Sequence, residues 1–460
     1  LNSPRTGWRS RLDNDSIAHA KVSLMKFSLV PCAALILAFV SFPARAETPA
    51  EWIKKNYDDV LTLYKHFHTN PELSHQEAKT AERVAAELKK VGCEVTTGIG
   101  GHGLVGILKN GAGPTLMWRT DLDALPVEEK TEVAYASKAK ARDDQGKEVS
   151  VMHACGHDIH ITNMIAAARY LAAHKDQWSG TVMFLGQPAE ERGAGARMML
   201  EDGLFKRFPK PDLALALHVD SYLPAGKLGY RAGYAMANVD SIDITCKGRG
   251  GHGSAPQTTI DPIVQAAHLV VDLQSIVSRE ISTLEPAVVT VGSIHGGTKH
   301  NIIGDSCHLQ ITVRSYTDKV RQHLLSAIKR KALAAAASAG APEPVIVVDQ
   351  KEYTPALKND AKLVAQLLPV FKKLLGEDKL EESEPTMGGE DFSQYGLAGV
   401  PIFMYRLGSV DAARLETYKK AERPAPSLHS AIYYPDPEPT LTTGLISTVA
   451  AILEFLPPKK

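Results

Sequence analysis

The sequence predicts an α/β protein with a mainly parallel central sheet, interrupted by an inserted α+β domain. Three observations carry this. Apolar runs at residues 181–185 and 213–217 read as strands buried on both faces, and they alternate with helical stretches. The first run leads into Glu190 and Glu191 and the second ends in His218, which is where a parallel sheet presents residues to a ligand. Residues 237–349 then change habit. They read strand, helix, strand, strand, helix, strand, the ferredoxin-like order.

A chain of 460 residues exceeds one hydrophobic core and calls for two or three domains. The expected division is an N-terminal extension and leader (1–46), the first part of the main domain (47–236), the insert (237–349) and the rest of the main domain (350–460). Basic and acidic residues number 52 each, so nothing points to nucleic acid or to an acidic surface. Met25-Lys26 opens an apolar stretch that ends at Ala44-Arg45-Ala46, the layout of a cleavable signal peptide. The expectation is therefore translation from Met25, export to the periplasm or beyond, and no membrane association once the leader is removed. The five cysteines, Cys32, Cys93, Cys155, Cys246 and Cys307, have no framework spacing, which argues against a disulfide-stapled fold.

In chain order, residues 48–65 read as a helix. Ser74 with Glu77 reads as a capping box opening a second helix that ends near Gly92. Strands at 104–108 and 115–118 follow, the second running into Arg119-Thr120-Asp121-Leu122-Asp123. Residues 137–148 are polar and read as an exposed loop. Met152-His153-Ala154-Cys155-Gly156-His157-Asp158-Ile159-His160 then stands at the entrance of a helix whose apolar positions run Ile161, Met164, Ile165, Ala168, Leu171. The insert reads as strand 239–247, helix 261–278, strands 287–294 and 307–313, helix 317–339 and strand 345–348. The main sheet resumes with a helix at 359–375, a strand at 401–405 and a helix at 440–455. His429 lies between these last two.

Water-activating metal sites need neutral imidazole, thiolate or carboxylate ligands and an open position. Cys155, His157, Glu191, His218 and His429 supply that mix from four stretches. Five ligands exceed one tetrahedral ion with an open site, so two divalent ions, zinc or manganese, are the natural reading. Glu190, left free beside Glu191, suits a general base. Asp123 would orient a ligand imidazole through its second nitrogen, and Asp121 would do similar work. Asn301 and Arg314 could bind a substrate carboxylate; for Arg314 a structural salt bridge is the competing reading.

Taken together the motifs resemble the amidohydrolase branch of the co-catalytic metallopeptidases, which includes hippurate hydrolase, aminoacylases and auxin-conjugate hydrolases. The resemblance runs from His66 to Phe455. It rests on Asp121-Leu122-Asp123-Ala124-Leu125-Pro126, the Cys155 stretch, Gln187-Pro188-Ala189-Glu190-Glu191, Gly250-Gly251-His252-Gly253-Ser254-Ala255-Pro256 and Met387-Gly388-Gly389-Glu390-Asp391-Phe392. It implies a phosphorylase/hydrolase-like catalytic domain, the five ligands above with Cys155 bridging, Glu190 as general base, and His252 as the group steadying the oxyanion. It also implies a homodimer through the insert. The implied activity is metal-dependent hydrolysis of the amide bond of small N-acyl amino acids.

Three departures fall where specificity could be set: His68-Thr69-Asn70-Pro71-Glu72-Leu73 lacks a second histidine, Asn301-Ile302-Ile303-Gly304 lacks a proline, and the loop 138–150 is long. Among the remaining histidines, His153 and His160 read as neighbours of the ligands, His66 and His75 as solvated, His268 and His308 as structural. Cys93, Cys246 and Cys307 read as ordinary buried thiols. Two other functions stay open. A dipeptidase or carboxypeptidase of the same family is one, the former needing an acidic group for a free amino terminus. A periplasmic metal- or solute-binding protein is the other, but it would have no use for an unligated Glu190.

Overall fold

The computed structural model describes Ser23 and residues 46–459. The expected leader, apart from its last position Ala46, lies outside the described residues. Six strands of the main sheet precede the insert: β1 (Glu94–Ile99), β2 (Gly103–Asn110), β3 (Thr115–Asp121), β4 (Gly180–Gln187), β5 (Leu213–Pro224) and β6 (Leu228–Tyr230). Four form its sheet: β7 (Asn238–Lys247), β8 (Ala287–Gly296), β9 (Ser306–Ser315) and β10 (Val345–Thr354). Two follow it, β11 (Leu380–Glu382) and β12 (Ile402–Val410).

The main sheet has the order β1-β2-β4-β3-β5-β12-β6-β11. Its centre, β4-β3-β5-β12, is parallel throughout. At one edge β1 and β2 run antiparallel, and at the other β6 runs antiparallel to β12. The apolar runs seen in the sequence are these central strands. Their pleat sends Leu213, Leu215, Leu217, Phe403, Tyr405 and Leu407 into one core layer and Ala214, Ala216, Ile402 and Met404 into the other.

The first layer is covered by α1 (Pro49–Thr69), α2 (Ala78–Lys90), α3 (His157–Ala173) and two late helices, numbered below. Thr48 and Glu51 cap α1 reciprocally, the Thr48 hydroxyl accepting from Glu51 N at 3.2 Å and the Glu51 carboxylate from Thr48 N at 2.8 Å. The expected Ser74–Glu77 capping box does not form. Ser74 donates instead to Asp123 Oδ2 at 2.6 Å, and Glu77 Oε1 accepts from Ala189 N at 2.8 Å. A buried site nearby claims both side chains, and the helix starts uncapped at Ala78. The expected exposed loop at 137–148 is partly a hairpin, Lys140–Arg142 against Glu148–Ser150. Its turn is tied by the N–H groups of Gln145 and Lys147 on Asp143 Oδ1, at 3.0 and 2.9 Å.

The insert has its own sheet, order β8-β9-β7-β10, which is the ferredoxin-like arrangement expected from its element order. Its helices α4 (Pro262–Ser275) and α5 (Asp318–Ala339) close a separate core around Leu269, Leu273, Leu324 and Ile328. β10 runs six residues beyond the expected 348, to Thr354, and carries the chain back to the main sheet. After it come α6 (Ala361–Leu375) and α7 (Pro437–Phe455), both packed on the first core layer.

A buried ion-pair chain braces the start of α3. His68, at the end of α1, lies 2.7 Å from Asp158 Oδ2 through Nδ1 and 3.1 Å from Glu129 Oε1 through Nε2, with its side chain 1% exposed. Burial alone would lower this imidazole, but the two carboxylates push it up to about 9. Its stabilising contribution is therefore full below the ordinary value of about 6.5 and fades as pH rises through about 9. In metal-free protein, urea unfolding should show His68→Gln destabilised by roughly 3–5 kcal/mol near pH 6. The gap to the parent should narrow by about pH 9.5. A gap independent of pH would mean that the imidazole carries no charge in the fold.

Candidate metal centre

Local backbone geometry brings the polar stretches together. Gly156, between Cys155 and His157, has φ +76°, and a Cβ there would lie 2.6 Å from Val219 Cγ2. Only glycine fits this turn, which leaves Cys155 facing the sheet edge while α3 begins at His157. Two non-glycine residues also adopt left-handed backbone at the site, Ala189 (φ +48°) and His429 (φ +69°). Each is held by a backbone hydrogen bond: Ala189 N donates to Glu77 Oε1 at 2.8 Å, and His429 N donates to Ala154 O at 2.8 Å. Strain of this kind persists where surrounding structure over-determines it, and it clusters at functional sites.

The imidazoles are oriented by carbonyls, which only accept. His157 Nδ1 donates to Asp123 O at 2.8 Å, and His218 Nδ1 donates to Val219 O at 2.7 Å. Nε2 is therefore the ring atom that both histidines turn toward the centre. His218 Nε2 lies 3.6 Å from Cys155 Sγ. Glu191 Oε1 lies 3.8 Å from His157 Nε2, and Glu191 Oε2 lies 3.4 Å from His429 Nε2. The donors of Cys155, His157 and His218 form one cluster within 4.8 Å, and those of Cys155, Glu191 and His429 another. Cys155 belongs to both. All five expected ligands are thus brought together.

Asp123 and Asp121 orient this cluster. Asp123 Oδ2 accepts from Glu191 N at 3.0 Å as well as from Ser74, so it fixes the turn that carries both glutamates. Asp121 Oδ1 accepts from His160 Nδ1 at 2.7 Å, and Val219 N donates to His160 Nε2 at 2.9 Å. With both ring nitrogens engaged, His160 has no lone pair left for a ligand. His153, expected beside the ligands, is buried with neither nitrogen hydrogen-bonded.

The residues fit divalent ions. His157 Nε2 and Glu191 Oε1 are buried without a hydrogen-bond partner, an arrangement that costs free energy unless something else satisfies them. Burial pushes the Glu190 carboxyl well above its ordinary range, reinforced by Glu390, Glu191 and Asp391. Burial likewise raises Glu191 to about 7, with His157 opposing. His218 is held well below its usual value by burial and then by His160, so its imidazole is neutral. His157 differs: burial would lower it, but Asp121, Cys155 and Asp123 hold it well above its usual value, so cations that complete this donor set displace a proton from it.

Sequence reasoning missed a second network behind Glu190. Arg119, wholly buried, donates to Asp121 Oδ2 at 2.7 Å, Gln187 Oε1 at 3.0 Å and Asp391 Oδ1 at 3.1 Å, and stands 3.0 Å from Glu390 Oε1. The signal was an arginine inside an apolar strand, which folds only if paired. Through Arg119 the Glu390-Asp391 motif is tied to the metal-side carboxylates.

A cleft of about 650 Å³ opens over the centre, lined among others by Cys155, Glu190, Glu191, His218, Arg314, Arg406 and His429. Arg314 makes no salt bridge among the described residues; its Nη1 donates to Met387 O at 2.8 Å. The other two insert residues expected to act, His252 and Asn301, are exposed and do not line this cleft. The hairpin carrying His252 stands on the insert, away from the strand ends that gather the ligands.

The model of peptidase family M20/M25/M40 matches residues 117–423, which contain every site residue discussed except His68, Ser74, Glu77 and His429. The chain belongs to this family. It is a hydrolase acting on amide bonds. Among similar curated proteins, the thermostable carboxypeptidase 2 of Saccharolobus solfataricus is 35% identical over 78% of this chain and 87% of its own length. The hippurate hydrolase of Campylobacter jejuni is 38% identical over 71% of this chain and 82% of its own. Of solved structures, the Bacillus subtilis YXEP protein, described as a dinuclear metal binding peptidase, superposes with TM-score 0.69 at 28% identity. That match covers 88% of this chain and all of that one.

Because Cys155 belongs to both donor clusters, Cys155→Ala should lose at least one bound divalent ion per chain by elemental analysis. Cys93→Ala, at a buried thiol remote from the clusters, should leave the metal content unchanged.

Proposed function

We propose that this protein is an exported, two-metal amidohydrolase that releases amino acids from their N-acyl conjugates. The observation that carries the reading is Glu190, an acid on the cleft beside the ligand Glu191, its carboxylate 4.0 Å from His157 Nε2 and tied by no hydrogen bond among the described residues. Cys155, His157, Glu191, His218 and His429 would hold the ions, which when bound activate water and polarise the amide carbonyl. Glu190 takes the proton of the attacking water and returns it to the leaving nitrogen. Arg314 binds the α-carboxylate of the amino acid, having donors to spare beyond the one on Met387 O. The carboxypeptidase reading differs only in the acyl group, because a peptide's last residue presents the same carboxylate and amide.

His252 completes the site from a second copy of the chain. Ile263, Val264 and Val271 on α4 and Ile294 on the edge strand β8 are exposed apolar side chains that a second copy would cover. Pairing through that face forms a homodimer in which the exposed His252 can serve the partner's cleft as oxyanion donor.

Chelator should abolish hydrolysis of benzoyl-glycine. Glu190→Gln should keep its metal but lose roughly 10²–10⁴-fold in turnover. Mixing Glu190→Gln with His252→Ala chains should restore activity, because one site of the mixed dimer then has both groups. Loss of metal in Glu190→Gln would make Glu190 a ligand, and full activity of His252→Ala would remove the oxyanion role.

A further inference from the structure

Arg406 on β12 lies opposite His218 on β5 in the parallel ladder. On both strands the preceding residues of that face, Ala214 and Ala216 beside Ile402 and Met404, are buried and apolar. Side chains alternate along a strand, so His218 and Arg406 emerge next to one another where this layer opens into the cleft. The pattern of β12 calls for an apolar residue at this position, and a guanidinium stands there instead.

That guanidinium has no carboxylate partner among the described residues. Its hydrogen bond, from Nη2, goes to Met236 Sδ at 2.9 Å, a weak acceptor that leaves most of its donors unused. Arg314 aside, the other arginines near the cleft are paired: Arg192 with Asp144, Arg231 facing Glu382 at 3.7 Å and Glu384 at 3.9 Å, and Arg119 with Asp121, Glu390 and Asp391. A half-buried guanidinium without an ion-pair partner is costly until an anion meets it. A planar fork with free donors at a cleft wall matches an incoming carboxylate.

We propose that Arg406 is a second anion-binding subsite, so that the substrate carries a carboxylate in addition to the α-carboxylate assigned to Arg314. This rests on the amidohydrolase reading above and names its substrate class, conjugates with two anionic groups. The second carboxylate comes either from the side chain of an acidic amino acid or from a dicarboxylic acyl group.

The test compares N-acetyl-glutamate, N-succinyl-leucine and N-acetyl-leucine on metal-loaded protein. At least one dianionic substrate should exceed N-acetyl-leucine in kcat/KM by about 10–100-fold, and which one does identifies the source of the charge. Arg406→Gln should erase that advantage, mainly through KM, while N-acetyl-leucine turnover and metal content stay near the parent values. Arg406→Lys should rescue part of it. Calorimetric binding of glutarate against butyrate reads the subsite without turnover. Glutarate should bind more tightly to the parent and lose that preference in Arg406→Gln. If no acyl amino acid is hydrolysed while this preference holds, the substrate assignment fails and the subsite stands. If glutarate has no preference, or Arg406→Gln slows all three substrates equally, the subsite is overturned.

Discussion

One electrostatic constraint organises the molecule: the C-terminal edge of the parallel sheet gathers more buried acidic donors than it has cations to match. Asp121, Asp123, Glu190, Glu191 and the Cys155 thiol converge there, and the buried arginine among them, Arg119, is already shared by Asp121, Glu390 and Asp391. The unsatisfied atoms, His157 Nε2 and Glu191 Oε1, stay unsatisfied because their surroundings hold them in place. Gly156, Ala189 and His429 take left-handed backbone, and Glu77, Asp123 and Ala154 O bind the N–H groups that keep the last two turns in position. Backbone strain at these turns thus holds unsatisfied donors in place, a set that divalent ions would complete.

Much of this was legible in the sequence because chemistry and periodicity coincided. Apolar strands ending in Asp121, Glu190 or His218 stated both the parallel sheet and the edge at which its ligands lie. The βαββαβ order of the insert translated directly into the sheet order β8-β9-β7-β10. The failures share a physical cause, namely that a short polar side chain obeys its three-dimensional neighbours before its local motif. Ser74 and Glu77 look like a capping box, yet Asp123 and Ala189 lie close enough to take them. His68, whose motif reads as merely incomplete, is committed to Asp158 and Glu129, 90 and 61 residues away in sequence. Arg119 and Arg406 each stand one residue past an expected apolar strand, 115–118 and 401–405, and nothing in one dimension says which is paired and which is not.

The insert separates two kinds of function. The proposed metal donors, the proposed base Glu190 and the network behind it sit at the main sheet. The arginines proposed to bind substrate stand at its junction with the insert: Arg314 reaches across to Met387 O, and Arg406 touches Met236 where the chain leaves for β7. Any motion of the insert would therefore change the distance between Arg314 and Arg406 without disturbing the proposed metal donors. His252, exposed on its hairpin, would move with Arg314.

The central claim is that two ions occupy the five-ligand cluster with Cys155 in common. Diffraction from crystals of the metal-loaded protein, collected at the absorption edge of the bound metal, tests it most directly. The account predicts two anomalous peaks per chain, one flanked by His157 or His218 and the other by Glu191 or His429, both in contact with Cys155 Sγ. A single peak, or density centred instead on Glu190, Glu390 and Asp391, would contradict it.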